Sequence, residues 1–458
     1  MSQARFGRLT DAPATFVLAG ARVIDPSDGT DTVRDLAVRE GRIAEEAPAD
    51  AERIDGSGLV VAPGFCDLHT HLRVPGGNGS ETVESGSRAA ARGGFTTVCA
   101  MPNTDPPLDS PAAVAEIASS VAACRVRVVG AATRGRAGEA AGDLAAMADA
   151  GAIGFSDDGA AVPTDGLTRE ILASLARLGL PLIEHAEDAA LGGGGVMRAG
   201  PNATRLGLLG WPAAAEVAIV ERDIALAAET GARLHLTHLS TAASVEAVRR
   251  ARARGEAVTC DVTPHHLVLT DAWVAGSRRF SWEEPELREE FAYDGRCRVN
   301  PPLASREDAL SLLAGVADGT VDAIATDHAP HPPERKLVPF DEAAPGLIGL
   351  ETALSLGLAA AEAGCLDLPT LVAALSTRPA AIIGEPRGLR IGAPAELIAF
   401  DPGARWRVEA SVLASASANT PLLGMELPGV VRLTVADGRV TYRSLKAAAQ
   451  RRLPGHPA

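Results

Sequence analysis

The chain has 458 residues, 46% hydrophobic and 22% charged, ordinary values for a globular protein and enough length for a large barrel plus a smaller unit. Its 43 Lys and Arg against 58 Asp and Glu give a formal charge of −15 without any basic run, which argues against nucleic acid or an anionic membrane as a partner. No apolar signal core opens the chain and no stretch approaches ~18 uninterrupted apolar residues, so a cytoplasmic location is expected, with the six scattered cysteines as buried free thiols.

In chain order, short β-like runs at 16–18, 21–24, 36–39 and 42–43 are broken by Gly, Asp and Pro and predict antiparallel strands. An apolar run at 59–66 then leads into Asp-Leu-His-Thr-His-Leu-Arg at 67–73. Further strand-like runs follow at 95–101, 126–131, 152–155, 181–184, 233–236, 257–261 and 323–326, alternating with helical stretches such as 213–229, 242–252 and 309–316. With the run before His69 these make eight strands, and eight βα units predict a closed parallel barrel. From about residue 389 short strands return at 396–400, 430–435 and 439–442. The expected fold class is therefore α/β: a TIM-like (β/α)8 barrel over 62–380, and a small β-sandwich built from 1–61 and 381–458, since neither terminal piece alone offers enough core.

His69 and His71 alternate with Thr70 in an extended segment, so both imidazoles face one side and can grip one ion. Borderline divalent metals such as zinc favour neutral imidazole, and catalytic sites leave a position open for water. In a barrel the site forms where strands end. There the chain places His69 and His71, the pair Asp157-Asp158, His185, His235 with His238, and Asp327 with His328 and His331. Seven of the ten histidines thus stand at strand ends. His235 reads as a core or supporting residue, His265 and His266 as mainly structural, and His456 as part of a polar tail.

These residues carry a resemblance to the amidohydrolase superfamily and, within it, to the class I dihydroorotases. It spans residues 17–442 and rests on DLHTHLR (67–73), GGFTTVCAMPNT (93–104), GFSDDG (154–159), EHAED (184–188), HLTHLST (235–241), TPHHLVLT (263–270), VNPPL (299–303) and IATDHAPH (324–331). The resemblance implies two zinc ions per chain, held by His69, His71, Asp158, His185, His238 and Asp327. Hydantoinases and allantoinases place a carboxylated lysine at the end of the fourth strand; here no lysine is available, and Asp158 matches the aspartate that class I dihydroorotases use. The implied reaction is the reversible interconversion of N-carbamoyl-L-aspartate and (S)-dihydroorotate in pyrimidine (UMP) biosynthesis. Bound zinc lowers the pKa of water toward about 7, and Asp327 would take the proton and deliver it to the leaving ring nitrogen.

Both small-molecule substrates carry a carboxylate that the reaction leaves untouched. Arg73 lies two residues past His71, on the same face if the extended conformation continues, and its planar fork suits a carboxylate. The family pattern adds Asn103 and His331 as its partners, Asn300 against the ring, and backbone groups near Pro345 and Gly346. Two departures stand out. Val74 replaces a commonly acidic residue, and the segment 271–298 is longer than the usual connection, which reads as a surface excursion, a lid or an oligomer contact. A homodimer and association with aspartate carbamoyltransferase are compatible with the resemblance, though no interface can be located. The alternatives are another cyclic-amide hydrolase of the dihydropyrimidinase or allantoinase type, and a non-catalytic partner of that transferase; the missing lysine disfavours the first, and the full ligand set the second.

Overall fold

The computed structural model describes residues 4–77 and 79–444. Eight parallel strands form the barrel: β1 Phe65–Thr70, β2 Phe95–Ala100, β3 Arg125–Ala131, β4 Ala152–Ser156, β5 Pro181–His185, β6 Arg233–Thr237, β7 Val258–Val262 and β8 Ala323–Ile324. They pair in chain order. A parallel bridge from Thr70 to His328 closes the ring between β1 and the end of β8, reinforced by the His71 N–H donating to the His328 carbonyl at 2.9 Å. The buried Asp67 carboxylate ties the same seam: it accepts the Thr326 N–H at 2.7 Å and the hydroxyls of Thr326 and Thr70 at 2.6 and 2.5 Å. Asp67 thus supports the strand end that presents His69 and His71.

Helices cover the barrel where the apolar period is 3.6. The stretches expected at 213–229, 242–252 and 309–316 fold as Ala214–Thr230, Ala242–Ala253 and Arg306–Asp318, the last two capped by Thr241 and Ser305. No helix among the described residues is long and apolar enough to cross a membrane. Five of the six cysteines are buried and all are free, with Cys365 half-buried.

The terminal strands join one nine-stranded sheet in which both ends of the chain interleave. Leu397–Arg407 pairs with Val60–Pro63 on one edge and with Glu426–Ala436 on the other, while Phe16–Asp25 pairs with Val60–Pro63 and Thr30–Arg39. Leu18, Val23, Leu36, Val38, Val61, Leu397 and Leu433 make a core of its own.

The run at 59–66, read as a single barrel strand, is two strands in different sheets. Val60–Pro63 belongs to the terminal sheet, and β1 starts at Phe65 and extends to Thr70, so His69 lies inside the strand. Gly64 is the joint. Its N–H donates to the Glu396 carbonyl at 3.0 Å, and a Cβ there would sit 2.3 Å from a Thr96 methyl, so only glycine lets the chain cross between the sheets.

Residues 408–425, between the last two long strands of the terminal sheet, run to the barrel mouth. There Ser415 and the Ala416 N–H donate to the buried Glu81 carboxylate, and Asn419 enters the site described below. The segment 271–298 packs onto the helix Pro201–Leu206: Asn202 donates to Asp271 at 3.0 Å and the Tyr293 hydroxyl to the Leu206 carbonyl at 2.8 Å. Trp273, within the segment, is fully buried.

Candidate active site

The C-terminal ends of β1, β4, β5, β6 and β8 bring the expected donors together. His69, His71 and Asp158 offer ligand atoms within 4.8 Å of one another, and so do Asp158, His185 and His238. Asp158 is common to both groups. Its Oδ1 lies 3.2 Å from His69 Nε2, 3.6 Å from His238 Nε2 and 3.7 Å from His185 Nδ1, and its Oδ2 lies 3.7 Å from His71 Nε2. Asp327 Oδ1 approaches the first pair, 3.0 Å from His71 Nε2 and 3.6 Å from His69 Nε2. All six side chains are buried.

Electrostatics mark the cluster as a place for cations. Burial alone would raise the Asp158 carboxyl, but His69, His185 and His238 hold it well below the usual carboxylate range; Asp327, equally buried, is held down by His71 and His69. Burial pushes the His69 and His185 imidazoles the other way, toward the neutral form, yet Asp158 reverses this and carries His69 to about 9; with Glu187 it carries His185 to about 10. A buried group this anionic favours added positive charge, and a divalent ion supplies it while leaving the rings neutral as ligands. His69 Nε2 is buried without a hydrogen-bond partner among the described residues. Two imidazole pairs sharing one carboxylate are a donor set that suits zinc-like ions.

Several of the donors are held by a partner behind them. Thr237 Oγ1 lies 2.8 Å from His69 Nδ1, and Asn103 Oδ1 lies 2.8 Å from His71 Nδ1. Asp261, on β7, accepts the His238 N–H at 2.6 Å and faces His235 Nε2 at 2.8 Å. His235 is therefore a support for Asp261, as its place within β6 suggested. Such outer contacts fix ring orientation and tautomer. Asp157 turns away and accepts from Thr133. His266 is used structurally, with ring nitrogens 2.8 Å from Thr263 Oγ1 and 3.0 Å from the Pro301 carbonyl, while both nitrogens of the buried His265 lack partners among the described residues. His328 faces Glu81 at 3.1 Å. His456 lies outside the described residues.

Arg73 reaches the mouth by a different backbone from the one expected. The strand ends at Thr70 and Arg73 sits at φ 56°, so extension does not continue. His238 and Asp327 also have positive φ, 41° and 45°, a left-handed backbone that costs non-glycine residues energy and concentrates at functional sites. The half-buried Arg73 guanidinium donates to the Pro330 carbonyl at 3.2 Å and lies 3.3 Å from His331 Nε2. That nitrogen is committed elsewhere. It lies 2.8 Å from the Pro345 carbonyl, which can only accept, so Nε2 carries the proton. Burial and the nearby Arg73 push His331 down to about 3, keeping it neutral. Arg73 therefore keeps donors to spare.

Asn103 bridges His71 and Asp158, donating to Asp158 Oδ2 at 2.7 Å. Asn300 donates to Glu187 at 2.8 Å and comes within 3.4 Å of His185 Nε2. Glu187, two residues past His185, was overlooked in the sequence although the spacing that pairs His69 with His71 applies to it; its carboxylate, against burial, is pulled down to about 2 by His185. Asn419 was overlooked too: Oδ1 accepts the His331 N–H at 3.1 Å, and Nδ2 donates to the carbonyls of Ala329 and Gly346. Nothing near residue 419 signals this.

A family profile described as dihydro-orotase-like matches residues 58–244. Among curated relatives, the dihydroorotase of Geotalea daltonii is 45% identical over 93% of this chain and 99% of its own length, and that of Anaeromyxobacter sp. strain K is 46% identical over 94% and 98%. Among solved structures, the L-hydantoinase (dihydropyrimidinase) of Arthrobacter aurescens superposes with a TM-score of 0.80 at 27% identity, covering 95% of this chain and 97% of the other. The dihydropyrimidinase of Brevibacillus agri, at 21% identity and a TM-score of 0.77, shares the fold. With this degree of identity over nearly the full length, the chain belongs to the dihydroorotase family of metal-dependent cyclic amidohydrolases.

Proposed function

We propose that this protein interconverts N-carbamoyl-L-aspartate and (S)-dihydroorotate with two zinc ions per chain, held by His69, His71, Asp158, His185, His238 and Asp327. The observation that carries the reading is Asp158, one buried carboxylate shared by two imidazole pairs. When bound, the metal pair supplies a water of lowered pKa and polarises the carbonyl under attack.

The chain's own residues do the rest. Asp327, buried with Oδ1 3.0 Å from His71 Nε2, takes the nucleophile's proton and returns it to the leaving ring nitrogen. Arg73 binds the untouched substrate carboxylate. Asn103 spends one amide N–H on Asp158 and has a second for the same carboxylate, and the Gly346 backbone and His331 border that end of the site. Asn300, beside His185, contacts the ring.

A hydantoinase-type reading requires a lysine at the β4 end. Gly154 and Asp158 occupy that stretch, and the described residues include a single lysine, Lys336, whose amine is engaged with loop carbonyls. A cytoplasmic location, a homodimer and association with aspartate carbamoyltransferase belong to this proposal and rest on the family resemblance.

Metal analysis of the purified protein is expected to give about two zinc-like ions per chain, and assays in both directions should interconvert the two compounds. Turnover of hydantoin or allantoin without turnover of dihydroorotate would overturn the proposal.

A further inference from the structure

The chain contains two lysines, Lys336 and Lys446, and uses arginine for every other cationic side chain except histidine. Lys336 is 2% exposed. Its ammonium group donates to three backbone carbonyls, those of Arg298 at 3.0 Å, Ala344 at 2.7 Å and Gly346 at 2.8 Å. A lysine amine has three donors on one compact head, whereas arginine spreads its donors over a planar fork. Three converging carbonyls in a closed space match the first geometry and not the second. A cation is otherwise expensive to bury, so its three bonds define where those carbonyls must stand.

The carbonyls belong to two loop segments, at 298 and at 344–346, beside the carboxylate end of the site. The Gly346 N–H donates to the Arg298 carbonyl at 2.9 Å, so Lys336 and this bond cross-link the loop segments at 298 and 346 at the mouth. Pro345, between two of the clamped residues, presents its carbonyl to His331 Nε2. Gly346 has φ 125°, and a Cβ there would lie 2.6 Å from the Ala329 Cβ and 3.2 Å from His331 Nε2; the backbone is pressed against the histidine. Asn419 reinforces the same point from another part of the chain, donating to the Gly346 carbonyl at 3.2 Å while holding the His331 N–H.

We propose that Lys336, with Asn419 as its second support, is a positioning residue for recognition of the substrate carboxylate: it sets the 344–346 backbone against His331, and through His331 leaves the Arg73 guanidinium free for the anion. The proposal rests on the functional reading above, in which Arg73 binds that carboxylate.

The test is steady-state kinetics of metal-loaded enzyme with dihydroorotate, comparing wild type, Lys336→Met, Arg73→Gln and the double variant, with metal content and melting temperature measured on each. Lys336→Met is expected to raise KM at least about tenfold, equivalent to 1.4 kcal/mol, with bound metal unchanged. Its kcat should stay within about threefold of wild type, as for lost ground-state binding. In the Arg73→Gln background the same change should move KM by less than about threefold, because both act on one carboxylate. A cost that appears in kcat or metal content, or that adds fully to Arg73→Gln, would overturn the proposal. A raised KM for Arg73→Gln beside a normal KM for Lys336→Met removes this inference alone; a normal KM for Arg73→Gln removes the carboxylate reading itself. Should Lys336→Met fail to fold, Asn419→Ala is read in the same way: a selective rise in KM supports the clamp, and an unchanged KM refutes it.

Discussion

Asp261 offers the sharpest test of how the site is held. It binds no expected substrate, is completely buried, and accepts from the His238 N–H at 2.6 Å, from His235 Nε2 at 2.8 Å and from the Thr237 hydroxyl at 3.2 Å. Asp261→Leu would strand three buried donors at roughly 1–3 kcal/mol each, a sum of about 3–9 kcal/mol that rivals a typical folding margin of about 5–15 kcal/mol. Asp261→Asn is milder. The amide oxygen can keep the His238 N–H, and His235 can move its proton to Nδ1 and donate to Thr259 Oγ1, 2.9 Å away. What is lost is charge. Charge-assisted bonds are about twice as strong as neutral ones, so two of them imply a cost of about 2 kcal/mol. Because the His238 backbone at φ 41° is pinned by this carboxylate, metal affinity should also fall by about 10- to 100-fold. Thermal unfolding of the metal-free proteins reads the first number and chelator competition the second. An Asn variant with wild-type affinity and melting temperature, or a Leu variant as stable as wild type, would refute the reasoning.

Three further outcomes follow from the geometry. Asp158→Ala is expected to lose metal and activity together, checked by metal analysis and turnover; retention of both would show that the shared carboxylate is not the bridge. Asp327→Asn should keep its fold and circular dichroism while turnover drops by about 10²-fold or more, as for loss of a general base. Asp223 concerns stability against pH. Burial, opposed by Arg222, raises its carboxyl from 3.8 to about 6, beside the buried Glu184, which is also raised. The native state therefore binds more protons than the unfolded chain between those values, so stability falls as pH rises through that window. Asp223→Asn should flatten this slope in denaturant titrations at pH 4 to 6, and an unchanged slope would remove Asp223 as its source.

Much of this molecule was legible because its signals are local. Barrel strands buried on both faces read as unbroken apolar runs, and side chains at strand ends fall just after them, so His69, His71, the pair Asp157-Asp158, His185, His235 with His238, and Asp327 with His328 and His331 stood out as candidates. The choice of Asp158 and Asp327 among them came from the family resemblance. The same uniformity hid the joint at Gly64. Residues 60–63 and 65–70 are buried alike, and only the closeness of Thr96 and Glu396 divides them. Arg73 was placed at the correct end of the barrel by a premise the backbone does not meet.

Apart from Glu187, whose spacing from His185 was there to read, what escaped the sequence is contributed by backbone atoms or by distant chain. Lys336 and Asn419 recognise carbonyls, and a carbonyl leaves no mark in the identity of its residue. Their role follows from a demand the ligands create. Arg73, His238 and Asp327 all sit in left-handed backbone, at a cost of order 1–3 kcal/mol each, and persist only where surroundings over-determine them. Asp261 pins His238, the Asp67 and Thr326 seam fixes the approach to Asp327, and the segment carrying Asn419 braces the loop beside Arg73. The excursion of residues 408–425 out of the terminal sheet gives that sheet a part in the site. Loosening the sheet should therefore weaken substrate binding before it disturbs the metal cluster, whose donors all stand on barrel strand ends.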